Sequence, residues 1–198
     1  MHPMIKKIIA GVIIVCVCVG MYWGVILPYI KSKAFISMLY SFREVTTVED
    51  FEMFASRALD VPSPVGQGEI IRFLSNEILN IIDNKDRPIT GEVAKTLVDY
   101  LDGKYKEYTE NGTRAYSSET QQLFIMGQLH YIVGAKYEYL DHLTAAEEYY
   151  KKCLEVSPTR PQCLTALQVL YYVTNRDAEA NALKERILSY WPTETLVR

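Results

Sequence analysis

Three residues of the types that bind zinc, His130, His142 and Cys153, lie in the last third of the sequence. Zinc sites are usually built from closely spaced pairs of imidazole and thiolate ligands. These three residues are 12 and 11 positions apart and form no such pair. His130 falls inside a predicted helix as a packing residue, and His142 follows Asp141 in a predicted turn, where we expect it to be solvated. The sequence therefore predicts no metal site.

Motifs typical of catalysis are also missing from the sequence. It contains no HExxH, no Walker loop and no G-x-S-x-G nucleophile elbow. Residues 65–69 contain two glycines, but they lack the preceding strand and the lysine of a phosphate-binding loop, so a turn before a helix is the better interpretation. We therefore expect a protein that is not an enzyme and that needs no cofactor.

The cysteines do not form the pattern of a disulfide-rich domain. Cys16 and Cys18 lie in an apolar segment, where they behave as small hydrophobic residues. Cys153 and Cys163 are ten residues apart and have no CxxC spacing. A bond between them requires an oxidising compartment and a specific geometry. The sequence does not decide the state of this pair, and the strict geometry favours two free thiols.

The N-terminal segment has the features of a membrane anchor. Residues 8–27 are uncharged, and 20 residues of helix span about 30 Å, the thickness of a bilayer core. Lys6 and Lys7 precede this segment, and Tyr22, Trp23 and Tyr29 lie near its other end, as in an aromatic belt. The alternative, a cleaved signal peptide, would end in an A-x-A-like site, which is missing between residues 20 and 37.

Charge is distributed unevenly along the chain. The first 33 residues hold four lysines and no acidic residue, whereas the remainder holds 17 basic and 24 acidic residues. An acidic domain repels phosphate backbones, so we expect no nucleic-acid partner. The short tail with two lysines favours a cytoplasmic N-terminus, which places the domain outside the cytoplasm. The predicted location is a single-pass protein of the bacterial inner membrane.

The rest of the chain has the periodicity of helices. Residues 31–45 continue with helical spacing, and Thr47 is placed to cap a helix that begins at Val48. Further helices are predicted from Gln67 to Ile82, from Thr90 to about Thr109, and from Ser118 onward. No segment alternates as a strand does, so we predict an all-α protein.

A 34-residue spacing appears in the C-terminal region. Counting from Pro158 places small, aromatic and proline residues at the positions of one helix pair, and adding 34 repeats three of them. These residues are Gly134, Tyr137, Ala146, Tyr150 and Pro158 in the first pair, and Tyr171, Ala180 and Pro192 in the second. The pattern resembles the tetratricopeptide repeat, in which small residues let two helices cross and proline ends the second helix. The resemblance implies an α-solenoid of helical hairpins.

The pattern departs from that repeat at four positions. His130 and Val133 replace expected residues in the first pair, and Gln168 and Lys184 replace glycine and an aromatic residue in the second. A polar residue at the last of these suits a terminal repeat with a wet outer face. A generic antiparallel helical bundle is the alternative interpretation.

In such repeats the first helix of each pair lines a concave binding surface. Positions 2, 5 and 12 of that helix are the candidate groove residues. They are Gln128, Tyr131 and Glu138 in the first pair, and Gln162, Thr165 and Tyr172 in the second.

A second resemblance is broader. Residues 51–79 and 127–162 are similar to the soluble C-terminal region of some bacterial O-antigen ligase-like membrane proteins, where a tetratricopeptide tail lies outside the cytoplasm. That similarity covers most of residues 45–195 but carries no catalytic motif. The ligases have many membrane spans and this chain has one, so the resemblance implies an envelope location and not ligase chemistry.

These observations predict four regions. They are an anchor at 1–30, a helical linker at 31–45, a degenerate helical-hairpin region at 46–117 and tetratricopeptide repeats at 118–198. The expected function is a membrane-anchored scaffold that binds a protein partner. The alternative is an accessory or regulatory subunit of a membrane polysaccharide ligase or glycosyltransferase.

Overall fold

The computed structural model describes residues 3–42, 45, 47–110 and 119–192, and all regular structure in these ranges is helical. The all-α prediction is therefore confirmed for the described chain, while Ser118, the predicted start of a helix, lies outside it. Two compact units divide inside α4, one of residues 1–71 and one of residues 72–198. The elements are α1 Pro3–Met21, a π-helical turn Tyr22–Ile26, α2 Leu27–Ser41, α3 Val48–Leu59, α4 Gln67–Asp83, α5 Gly91–Glu110, α6 Glu119–Tyr137, α7 Leu140–Val156, α8 Pro161–Val173 and α9 Asp177–Tyr190.

The N-terminal helix continues through Pro28 by means of the π-helical turn. Pro28 has no N–H, and its ring would clash with the carbonyl of Gly24 in a regular α-helix. The turn avoids this clash because it inserts an extra residue, so that Leu27 N–H bonds to Tyr22 O five residues earlier. The kink or restart predicted near Pro28 is thus a local widening within one uninterrupted helix.

The surface of this helix is apolar and uncovered along most of its length. All residues from Lys7 to Ile26 are exposed, and among the described residues it is the one helix long and apolar enough to cross a membrane. An apolar surface of this size is unfavourable in water. Leu27, at the end of the predicted bilayer segment, is instead buried against protein, so the uncovered surface stops at Ile26.

In the first unit, α2 packs against α3. The apolar face predicted for α3 is buried, and Phe51 meets Phe42 edge to face at 5.4 Å near the C-terminal end of α2. Thr47 and Asp50 form a reciprocal capping box, which confirms the predicted start of α3. Residues 31–41 are therefore part of a packed helical hairpin.

Lys31 closes the other end of that hairpin. Its Nζ donates to Leu59 O at 3.4 Å, to Val61 O at 2.7 Å and to Gln67 Oε1. Burial lowers the pKa of Lys31, although the nearby charge of Asp60 opposes the shift. The expectation that Lys31 is a charge at the membrane surface is wrong for its ammonium group, which binds the carbonyls at the end of α3.

In the second unit, α5 packs on α6, α6 and α7 form one hairpin, and α8 and α9 form the next. The first hairpin is tightly crossed: a Cβ at Gly127 would lie 2.6 Å from the Tyr150 ring, and one at Gly134 would lie 2.7 Å from the Leu143 side chain. Gly134 is thus at a close crossing, as predicted, but its nearest neighbour is Leu143 and not Ala146.

The two hairpins end alike, 34 residues apart. α7 ends at Ser157 with φ −138° and ψ 88°, and α9 ends at Trp191 with φ −134° and ψ 80°. Pro158 and Pro192 follow these residues, as the sequence predicts. The predicted packing residues Ala146, Tyr150, Tyr171 and Ala180 share one buried cluster. The hydroxyl of Tyr137 instead donates to Ile89 O at 3.1 Å.

Candidate functional site

A groove of about 430 Å³ lies between α6 and α8 in the second unit. Both walls come from the first helices of the two hairpins, and Tyr150 of α7 contributes to the lining. The lining residues are Phe124, Gln128 and Tyr131 from α6, Tyr150 from α7, and Pro161, Gln162, Thr165, Ala166 and Val169 from α8.

Helical periodicity explains this arrangement. Phe124, Gln128 and Tyr131 are spaced i, i+4 and i+7, so they share one face of α6. Pro161 begins α8, where its missing N–H has no helical partner to lose. Tyr150 is 1% exposed and packs its ring 6.2 Å from that of Phe124. A buried aromatic residue therefore fixes the position of the α6 wall.

The groove has apolar walls and no charged lining residue. Burial raises the pKa of Tyr131, which keeps its phenol neutral. Gln128, Gln162 and Thr165 supply amide and hydroxyl groups that can donate to and accept from a peptide backbone. This combination suits an uncharged protein segment whose apolar side chains enter the groove.

The structure brings together four of the six predicted groove residues: Gln128, Tyr131, Gln162 and Thr165. Glu138 lies elsewhere, because α6 ends at Tyr137 and Glu138 adopts a left-handed conformation with φ 63°. Tyr172 faces α9, where its hydroxyl donates to Asn181 Oδ1 at 3.1 Å. Position 12 of the repeat is therefore a wrong guide to the groove in this chain.

The apolar lining residues were missed because sequence reasoning used repeat positions and ignored helical neighbours. Phe124 precedes Gln128 by four residues, and Ala166 and Val169 follow Gln162 and Thr165 by four. Residues four apart share a helix face, so this spacing was a usable signal.

A disulfide joins the two hairpins beside the groove. Cys153 of α7 is bonded to Cys163 of α8, both are fully buried, and their Cα atoms are 6.3 Å apart. The free thiols favoured by the sequence are thus replaced by a bond. The reason is the short turn after Val156, which returns α8 along α7; a spacing of ten residues does not reveal this.

A second group of polar side chains is buried between α5, α6 and α7. Asp102 accepts a hydrogen bond from the Tyr149 hydroxyl and lies 3.5 Å from His130 Nε2. His130 Nδ1 lies 3.0 Å from His142 Nδ1. All four side chains are nearly inaccessible to solvent. His142, expected to be solvated, is 2% exposed because it lies in the first turn of α7 and faces α6.

One arrangement of protons satisfies these contacts. Lys95 Nζ donates to His142 Nε2 at 3.2 Å, so the proton of a neutral His142 is on Nδ1. That N–H donates to His130 Nδ1, which leaves the His130 proton on Nε2, facing Asp102. The polar group, defined as Asp102, His130, His142 and Tyr149, thus links three helices through neutral imidazoles.

Electrostatics keep Asp102 ionised. Burial opposes its charge, but contacts with His130, Lys106 and Tyr149 outweigh burial and hold the pKa of Asp102 well below its usual range. Burial, followed by the carboxylate of Asp102, raises the pKa of Tyr149. Burial lowers the pKa of His142, and the adjacent His130 adds to this shift.

The chemistry open to the polar group is limited by its burial. A carboxylate beside an imidazole is the acid–base pair of many hydrolases, but such a pair must reach its substrate. With Asp102 8% exposed and His142 2% exposed, the side chains contact helices instead. Within the described ranges, no set of three or more His, Cys, Asp or Glu residues is placed to hold a metal ion.

Comparison of the chain with protein-family models, with curated proteins and with solved structures finds no match. The functional argument therefore depends on the geometry of the groove and of the N-terminal helix.

Proposed function

We propose that this chain is a membrane-anchored scaffold that binds an uncharged segment of a protein partner in the α6–α8 groove. The observation that carries the proposal is the groove itself, with apolar walls, polar amides and contributions from the first helix of each hairpin. Concave surfaces lined in this way are the binding faces of helical repeat proteins.

The 34-residue relation between the hairpins supports a tetratricopeptide-type architecture. Pro158 and Pro192 follow matching helix ends, and Ala146 and Ala180 occupy the same buried cluster. In a generic helical bundle, neither match is required. The buried Gln168, where the repeat has glycine, is the main departure and widens the second pair.

The N-terminal helix and the disulfide support a location outside the cytoplasm for the helical domain. Residues 8–26 supply an uncovered apolar surface long enough to serve as the anchor. Disulfides persist in oxidising compartments and are rare in the cytosol. With Lys6 and Lys7 on the cytoplasmic side, the domain of a bacterial inner-membrane protein would face the periplasm.

Affinity capture of the full chain from detergent-solubilised membranes tests the proposal with two matched variants. Val169→Arg places a charge in the groove, whereas Val173→Arg places one on the same helix outside it; the two valines are 41% and 47% exposed. We expect one partner, identified by mass spectrometry, to be retained by the wild type and by Val173→Arg and lost with Val169→Arg.

Equal recovery of every captured protein by both variants would exclude the groove as the binding site. A multi-span glycosyltransferase among the proteins lost specifically with Val169→Arg would favour the accessory-subunit alternative over a general scaffold.

A further inference from the structure

A short uncharged loop lies beside the point where the N-terminal helix leaves its uncovered apolar segment. This 61–65 loop consists of Val61, Pro62, Ser63, Pro64 and Val65 and connects α3 to α4. Lys31 fixes its position, because Nζ donates to Leu59 O and to Val61 O at the two sides of the α3 terminus.

The loop is at the membrane-proximal end of the α2–α3 hairpin. The two helices are antiparallel: Phe42 at the far end of α2 meets Phe51 early in α3, and Lys31 meets the C-terminus of α3. Lys31 follows Ile26, the last residue of the uncovered run, by five residues, or about 7.5 Å of helix. The headgroup region on each side of a bilayer core is about 5–7 Å thick. An anchor that spans the bilayer therefore brings the loop to the headgroup layer.

The composition of the loop suits that layer. No charged residue occurs from Val61 to Gly68, and the Val65 side chain is 58% exposed. Pro62 and Pro64 are exposed as well and have no N–H groups to leave unpaired in a region poor in water. On the helix, Tyr29 is 68% exposed close to the same level. Amphipathic aromatic rings prefer this interface.

The loop also has a rigid support. Gly66 adopts φ +92°, a conformation that favours glycine, and lies against the aliphatic stem of Lys31. The turn after Val65 is thus held on the helix that enters the membrane, and the exposed valine and prolines project from a fixed base.

We propose that the 61–65 loop is a second membrane contact, embedded in the lipid headgroup layer, that sets the orientation of the first unit on the bilayer. The proposal rests on the proposed anchor, and its occupant is the lipid surface rather than a protein. The buried hydrogen bonds of Lys31 connect the two contacts, because they hold the loop on the anchor helix.

Quenching of tryptophan fluorescence by brominated lipid tests this proposal on the full chain in phosphatidylcholine vesicles. Three single-tryptophan proteins are compared. The first keeps Trp23 and carries Trp191→Phe; the second and third carry both Trp→Phe changes with either Val65→Trp or Tyr40→Trp. Tyr40 is 71% exposed in α2 and lies 14 residues beyond Ile26, roughly 21 Å along the helix.

We expect strong quenching of Trp23 and of Val65→Trp, with a blue-shifted emission for the latter, and no quenching of Tyr40→Trp. Pro62→Trp gives a second position in the loop and should match Val65→Trp. If Trp23 is quenched while both loop variants behave like Tyr40→Trp, the loop is in water and the proposal is wrong. If Trp23 itself is not quenched, the anchor fails, and the loop contact fails with it. The vesicles contain only lipid and this chain, so quenching cannot come from another protein.

Discussion

The two hairpins of the second unit share a 34-residue register but are packed differently. In α6–α7, Gly134 brings the helices so close that an added Cβ would lie 2.9 Å from the backbone nitrogen of Leu143. In α8–α9, the corresponding position is Gln168, which is 3% exposed. The aromatic Tyr150 of the first pair corresponds to Lys184 in the second.

Burial of the second helices reflects this difference. α7 buries His142, Ala146, Tyr149, Tyr150 and Cys153, whereas α9 buries only Ala180 and Ile187 among its residues. The first hairpin is packed between α5 and α8, and the second is the last of the described elements. We infer that the first hairpin supplies the rigid wall of the groove, while the second depends on the disulfide and on contacts with the first.

Removal of the disulfide should have the largest effect on this relation. Closing a loop of about ten residues with a disulfide stabilises a protein by roughly 2–3 kcal/mol in the chain-entropy treatment. Cys153→Ser together with Cys163→Ser should lower the free energy of unfolding by that amount, measured by urea unfolding in detergent. The pair Cys16→Ser and Cys18→Ser, at exposed positions, is the control and should leave it unchanged. Identical unfolding of the oxidised and reduced wild type would contradict the role of the bond.

Overpacking at Ala146 should have the next largest effect. Ala146 is fully buried in the shared cluster, whereas Ala178 is exposed at the start of α9. Ala146→Leu should cost about 1–3 kcal/mol, because the added carbon atoms must enter a filled contact. Ala178→Leu should stay within roughly 0.5 kcal/mol. Nearly equal urea midpoints for the two variants would show that the register of the hairpins is wrong.

Two glycine-to-alanine changes should shift stability in opposite directions. At Gly134 the new methyl group would meet Leu143, including its backbone, so we expect a loss of about 1 kcal/mol or more. At Gly103 of α5 an added Cβ has no neighbour within 4 Å, and alanine should stabilise the helix by about 1 kcal/mol. Thermal unfolding of both variants provides the comparison, and stabilisation by Gly134→Ala would show that the first hairpin is less closely packed than described.

Acidification should have the smallest effect and should act on the first hairpin. Because burial lowers the pKa of His142 below its ordinary value of 6.5, the unfolded chain binds a proton that the folded chain refuses as the pH falls through 6.5. Stability should therefore be complete above this pH and decrease below it. Asp102, whose pKa is also lowered, adds a further loss only below about its ordinary value of 3.8.

The urea midpoint should accordingly be lower at pH 5 than at pH 7.5. His142→Gln keeps an acceptor for Lys95 and cannot take up a proton, so its midpoint should change less between these pH values. An equal pH dependence in both proteins would assign the effect to other groups.

Local signals in the sequence predicted much of the fold. The Thr47 cap, the apolar face of α3 and the ends of α7 and α9 depend on neighbours within one or two turns, and each appears where expected. The polar group could not be predicted in this way. It joins Asp102 to Tyr149, 47 residues apart, and periodicity does not tell which polar residues of separate helices meet.

The groove was predicted in part for a related reason. The first two positions taken from the repeat pattern lie well inside α6 and α8, and they line the groove. The third depends on where each helix ends, which is the least regular feature of a helical hairpin. Glu138 lies just beyond the end of α6.

Site-specific photo-crosslinking in intact cells tests the central claim, binding of a protein segment between α6 and α8, most directly. A photoreactive amino acid replaces Gln128 on α6 or Thr165 on α8, and Val156, 47% exposed at the end of α7 and outside the groove lining, serves as the control. The account predicts that the two groove positions crosslink to the same protein and that position 156 does not. Adducts that are missing from both groove positions, or that form equally well from position 156, would contradict it.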